Sequence, residues 1–198
     1  MRAPFGNIYQ IFGRQSWEFY LNLLGYGTIL TLTDKLRHST RRTTRFSKLI
    51  ESPQLFKSFI PIAFHVDYWD RLGWRDPFAS GQHTQRQYHL GKIGQLASIY
   101  TPAFVIDGKE WRGFFEREAY PSTSEEKAGT LFVDIENRSL TATRPSPEDS
   151  LLFAAVLGVG FETQVKSGEN RNRNLAQDFV AVWMSQSNSG SCELDRLK

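Results

Sequence analysis

The clearest apolar run in the chain is Phe59–Val66, FIPIAFHV. It is too short for a typical helix and rich in β-branched and aromatic residues, so it predicts a strand buried on both faces, as in a parallel sheet. Residues 28–33, TILTLT, predict a second short strand. Between the two, residues 43–58 predict a helix carrying Phe46, Leu49 and Ile50, interrupted near Pro53. Residues 82–97 predict another helix with Tyr88, Ile93 and Leu96 as its apolar positions. Ala103–Ile106 then reads as a strand that turns back in a hairpin at Asp107-Gly108. Upstream, Trp17, Tyr20, Leu21 and Leu24 recur at helical spacing and predict a helix over 16–24, capped by Ser16 and stopped by Gly25 and Gly27. Helices alternating with strands across a long connection predict an α/β sheet.

The texture changes near residue 121. Pro121–Lys127 is a polar linker. Residues 130–135 and 139–143 predict a hairpin, 151–164 and 178–184 predict further strands, and SGENRNRN reads as a loop between them. Gly158 and Gly160 interrupt the apolar run there, which predicts a bulge or a close backbone approach. The tail from residue 186 lacks apolar periodicity and is expected to be mobile. The organisation predicted is a segment 1–27, an α/β domain over 28–120, a β-rich part over 128–185 and the tail 186–198.

Composition narrows the function classes. Of 198 residues 40% are hydrophobic and 14% aromatic, which suits a globular chain with a sizeable core. No apolar run is long enough for a membrane-spanning helix. The single cysteine, Cys192, excludes an internal disulfide, a CxxC pair and a cysteine-rich zinc site. The net charge of +3 says little, but residues 35–48 carry six cations and no acid. Such a run reads either as a solvated face or as an electrostatic footprint for nucleic acid, and no helix-turn-helix, RRM or KH pattern supports the second. The amino-terminal stretch lacks the uninterrupted apolar segment of a secretory signal, so the chain is read as unprocessed, which allows a cytoplasmic location.

The densest candidate chemistry is His65, Asp67, Tyr68, Trp69 and Asp70, followed by Trp74, Asp76 and Pro77. If 59–66 is a strand, this cluster lies at its carboxyl end, where open α/β sheets place ligand sites. A His–Asp pair suits proton transfer or two metal ligands. The alternative is a buried histidine bonded to backbone, with Asp67 and Asp70 bonding the loop. His83 and His89 are six apart and do not share a helix face, and no HExxH is present, so no metal or other cofactor is called. Tyr100, Thr101 and Pro102 precede a buried strand, with the proline favouring extended geometry before it. Nothing resembles a phosphate loop or a GxSxG nucleophile, so no catalytic residue is assigned.

The segments AFHVDYWDRLGWRDPFAS, YTPAFVIDGKEWRGFF and SGENRNRNLAQDFV together resemble the bacterial secreted proteins of domain-of-unknown-function family 1223, over roughly residues 46–183. The resemblance implies an α/β, thioredoxin-like core with an appended carboxy-terminal β-rich segment, a cis-proline turn at Thr101-Pro102, and export. It also implies a CxxC-containing segment after the first core strand. Here that place is taken by residues 31–45, basic and free of cysteine, as though the coding frame had been disturbed and restored near Arg45-Phe46. Disulfide exchange by a dithiol needs an attacking and a resolving thiol. The expectation is therefore a relative of exported redox proteins that is inactive in exchange. The alternative is a non-enzymatic module binding peptide or protein through the HVDYWD loop and the Tyr100-Thr101-Pro102 edge.

Overall fold

A computed structural model describes residues 10–13, 19–22, 28–34, 46–56, 58–72, 75–121, 132–136, 139–143, 152–167, 171–187 and 191–193. The predicted strands at its centre form where the pattern places them. β3 (Thr28–Asp34) and β4 (Phe59–His65) run parallel, in register from Thr28↔Phe59 to Asp34↔His65. β5 (Ala103–Ile106) pairs antiparallel with the other edge of β3, and β6 (Lys109–Glu110) closes the hairpin on β5. The hairpin turn is Asp107-Gly108, both at positive φ, the conformation an Asp-Gly pair supplies cheaply.

β4 is buried on both faces, as its composition requires. Ala63 looks toward Phe46, Phe104 and Phe179, whose rings meet edge to face, Phe46 lying 6.3 Å from Phe104 and 5.8 Å from Phe179. Ile60, Ile62 and Phe64 face the other way, onto Leu157 and Ala181. A proline inside a central strand forfeits a ladder donor. Pro61 escapes that cost by position. Its nitrogen points the same way as that of Ala63, which donates to Phe179 O, and the ladder to the neighbouring strand begins only at Ala63↔Val180.

That neighbour is β12 (Val180–Ser187), parallel to β4, followed outward by antiparallel β9 (Leu152–Gly158) and then by β1 (Gln10–Gly13) and β2 (Phe19–Asn22). The described strands thus build an eight-stranded mixed sheet in the order β2-β1-β9-β12-β4-β3-β5-β6. β10 (Phe161–Gln164) and β11 (Asn174–Gln177) form a separate hairpin. β7 (Phe132–Glu136), β8 (Ser139–Thr143) and β13 (Ser191–Glu193) form a three-stranded sheet.

Several expectations are corrected. Residues 19–22 are strand, not helix, because pairing with β1 outweighs the helical spacing of Tyr20 and Leu21. The tail holds β13, which pairs with β8 from Ser191↔Thr141 to Glu193↔Ser139. The run 151–164 is two strands, split where Gly160 takes φ +68°. Asn174–Gln177, overlapping the expected loop, is strand β11. Helix α1 (Gly81–Lys92) ends five residues before the expected 97, with Gly94 at φ +76° just beyond it. Its buried positions are His83, Thr84, Gln87 and Leu90, while Tyr88 and Ile93 are exposed. The expected helix over 43–58 is short: residues 46–47 are helical and run into one 3₁₀ turn, Lys48–Glu51, that ends before Pro53. The cap expected at Ser16, most of the linker 121–127 and residues 35–45 of the basic run lie outside the described residues.

Candidate functional site

The loop after β4 is held by a knot of buried polar groups. His65 donates from Nδ1 to Asp76 Oδ2 at 2.8 Å, and the two side chains are almost fully enclosed. The other oxygen of Asp76, Oδ1, accepts from Phe78 N, and Asp76 N donates to Asp70 Oδ1. The carbonyl of His65 accepts from Ser80 N and from His83 Nδ1, each at 3.0 Å. Ser80 then caps α1, its side chain accepting from Gln82 N. Burial drives the pKa of His83 down to about 4, with Arg86 nearby adding to the effect, so His83 is neutral near pH 7 and its Nδ1–H makes the bond to His65 O.

Outward from that knot the loop bonds to α1 and to the start of β5. Thr84 donates to Asp67 Oδ1 at 2.6 Å and accepts from Asp67 N. Tyr68 OH donates to Gln87 Oε1 at 3.1 Å, and Gln87 Nε2 donates to Tyr100 O at 2.7 Å. Gln87 is fully buried, so both of its bonds stand in a medium where losing either is costly. Trp69 Nε1 donates to Thr101 Oγ1 at 3.0 Å. Burial raises the Tyr68 phenol pKa, keeping it a neutral donor.

A second group fixes Tyr100. Its hydroxyl donates to Glu110 Oε1 at 2.6 Å, Arg112 Nε donates to the same oxygen, and Ala97 N donates to Oε2. Burial works against the Glu110 carboxylate, but these three donors outweigh it and hold its pKa below the ordinary range. Burial and the adjacent carboxylate push the Tyr100 phenol up to about 12.

The structure therefore brings Asp67, Tyr68, Trp69, Asp70, Tyr100 and Thr101 to one half-buried surface beside the carboxyl ends of β3 and β4. His65 lies beneath it at 3% exposure, its Nδ1 bonded to the Asp76 carboxylate. Pro102 is buried too, behind a cis peptide bond to Thr101. Trp74 lies outside the described residues. Among the described residues, no three His, Cys, Asp or Glu side chains converge as metal ligands. Sequence reasoning missed His83, Thr84 and Gln87 as anchors of the surface. Their spacing at 83, 84 and 87 marks one helix face, but polar residues there read as the solvent side.

The model of a family described as Protein of unknown function (DUF1223) matches residues 39–191. The chain belongs to this family. The match spans the loop, α1, the Thr101-Pro102 edge and the carboxy-terminal strands, so the site described is built from DUF1223 sequence. A crystal structure of protein AGR_C_4864 from Agrobacterium tumefaciens is similar in fold, with a TM-score of 0.53 at 16% identity. The similarity covers 87% of this DUF1223 chain and 78% of that one. Among curated proteins no relative matches. No described helix is long and apolar enough to cross a membrane.

Proposed function

We propose that this DUF1223 chain is a thioredoxin-like protein that binds extended polypeptide without exchanging disulfides. The order β4-β3-β5-β6, with β3 and β4 parallel and β5 and β6 antiparallel to their neighbours, supports the thioredoxin-like reading. A dithiol cycle needs two thiols and the sequence has one, Cys192.

The observation that carries the binding reading is Thr101. Among the described residues, nothing bonds to its backbone N–H or C=O, although it is half-buried and its hydroxyl is held by Trp69. A recessed, unpaired peptide unit is a ready partner for another strand. Tyr68 and Trp69 stand beside it as apolar surface, their rings 5.3 Å apart. Main-chain pairing would supply affinity, and the aromatic surface would select side chains.

The test is binding of reduced, carboxymethylated α-lactalbumin, a soluble unfolded chain, followed by calorimetry. The intact protein binds it, and Trp69→Ala weakens binding by roughly tenfold, about 1.4 kcal/mol. Equal binding by Trp69→Ala, or none by the intact protein, contradicts the reading.

A further inference from the structure

Arg86 lies on α1 one position before Gln87, on the flank that faces away from the loop and toward Phe64. Its guanidinium sits 4.3 Å from the centre of the Phe64 ring, and the residue as a whole is half-buried. Among the described residues, no carboxylate, carbonyl or hydroxyl accepts from it. Other arginines near the site are served differently: Arg112 has Glu110, and Arg71 lies exposed 5.9 Å from Trp69. An aromatic face attracts the charge but offers no lone pairs to the five N–H donors of a guanidinium.

The surroundings suit a ligand rather than a sealed defect. Sealed polar atoms without a partner occur elsewhere, at Ser47 Oγ, Gln95 Oε1 and Gln177 Oε1, and the Arg86 nitrogens are not among them. His83 stands edge-on to the same Phe64 ring at 5.3 Å and is close enough for Arg86 to repel its proton. With Nδ1–H spent on His65 O, neutral His83 adds no charge to the recess. Desolvation lowers the pKa of Arg86 to about 10, which leaves it cationic at pH 7.

We propose that Arg86, held over Phe64 beside His83, binds a small oxyanion, with carboxylate and phosphate as the matching chemistry. Each presents two oxygens at the spacing of the guanidinium fork, and a recessed cation binds them more strongly than an exposed one. The inference stands apart from the polypeptide surface, since Arg86 packs on Phe64 and not on the loop.

The test is thermal unfolding of the intact protein in inorganic phosphate, acetate or chloride at equal ionic strength. Phosphate or acetate is expected to raise Tm by roughly 5–10 °C at a hundredfold excess over Kd, and Arg86→Gln to abolish the rise. An equal rise in Arg86→Gln, or no rise in the intact protein, overturns the proposal. A tetra-alanine peptide with a free or amidated carboxyl terminus identifies the source. A rise with the free acid alone assigns the recess to a chain terminus, and a rise with the inorganic ion alone assigns it to a free anion, either of which upholds the site. Should Arg86→Gln fail to fold, the Arg86 Nε–Hε resonance of the intact protein decides: movement under phosphate or acetate upholds the proposal, and an unmoved signal overturns it.

Discussion

Gln87 shows how single residues set this surface. It is an uncharged side chain with no exposure, and it bridges Tyr68 in the loop to the carbonyl of Tyr100 before β5. Replacing it with leucine keeps most of the volume but leaves the Tyr100 carbonyl without its donor and takes one partner from the Tyr68 hydroxyl. An orphaned buried group costs about 1–3 kcal/mol, so Gln87→Leu should lower stability by about 1–3 kcal/mol in urea denaturation. A loss under 0.5 kcal/mol would mean that the bridge is replaced by water at no cost. His83 makes a different prediction. Its folded pKa of about 4 lies below the ordinary 6.5, so the unfolded chain binds more protons between these values. Its contribution is complete above about pH 6.5 and is lost as pH falls toward 4, up to about 3 kcal/mol in all. His83→Asn, which retains a donor for His65 O, should flatten this part of the stability profile. An unchanged slope would assign the acid sensitivity to other groups.

At the scale of elements, the parts legible in the sequence are those whose pattern has one physical solution. β4 is apolar on both faces, and only a central strand satisfies that. The Asp107-Gly108 hairpin announces itself through residues that tolerate positive φ. Elements went unread where tertiary pairing decides. Phe19–Asn22 and Ser191–Glu193 are strands because β1 and β8 offer them edges, and no local signal encodes a distant edge. α1 begins where the pattern predicts but ends five residues short, and its inward face is built on His83, Thr84 and Gln87, polar residues that burial rules assign to solvent. The loop residues of the site were legible as a cluster of aromatics and acids, and their anchors on the helix were not. The interruption at Gly158 was also legible, and its cause is a close approach: a β-carbon there would collide with the Phe161 ring, which stacks on Phe78 at 4.8 Å. Gly158→Ala should therefore displace Phe161 and cost about 1–3 kcal/mol by overpacking. Thermal unfolding measures the loss, and a neutral substitution would show that the ring moves aside freely.

For the whole molecule, the arrangement joins two parts of the chain that the sequence pattern separates. β9 and β12, from the β-rich half, extend the sheet that β3, β4, β5 and β6 begin. The surface of Asp67, Tyr68, Trp69, Asp70, Tyr100 and Thr101 sits where this sheet presents the carboxyl ends of β3 and β4, the usual ligand position of α/β sheets. The segment following β3 is the basic, cysteine-free run, and it bears on the origin of the chain. If a frame disturbance produced residues 31–45, DNA resequenced across codons 28–50 should encode two cysteines and adjacent prolines in another frame. Absence of cysteine codons in every frame would make the loss of a thiol pair genuine.

The loop and the Thr101 edge are proposed to form one polypeptide-binding surface. The most direct measurement is two-dimensional ¹H–¹⁵N NMR of the intact protein titrated with reduced, carboxymethylated α-lactalbumin. The Thr101 amide and the Trp69 indole N–H are expected to shift together, along with amides of residues 67–70, while signals from β7, β8 and β13 stay in place. Shifts confined to those outer strands, or a Thr101 amide that never moves, would contradict it.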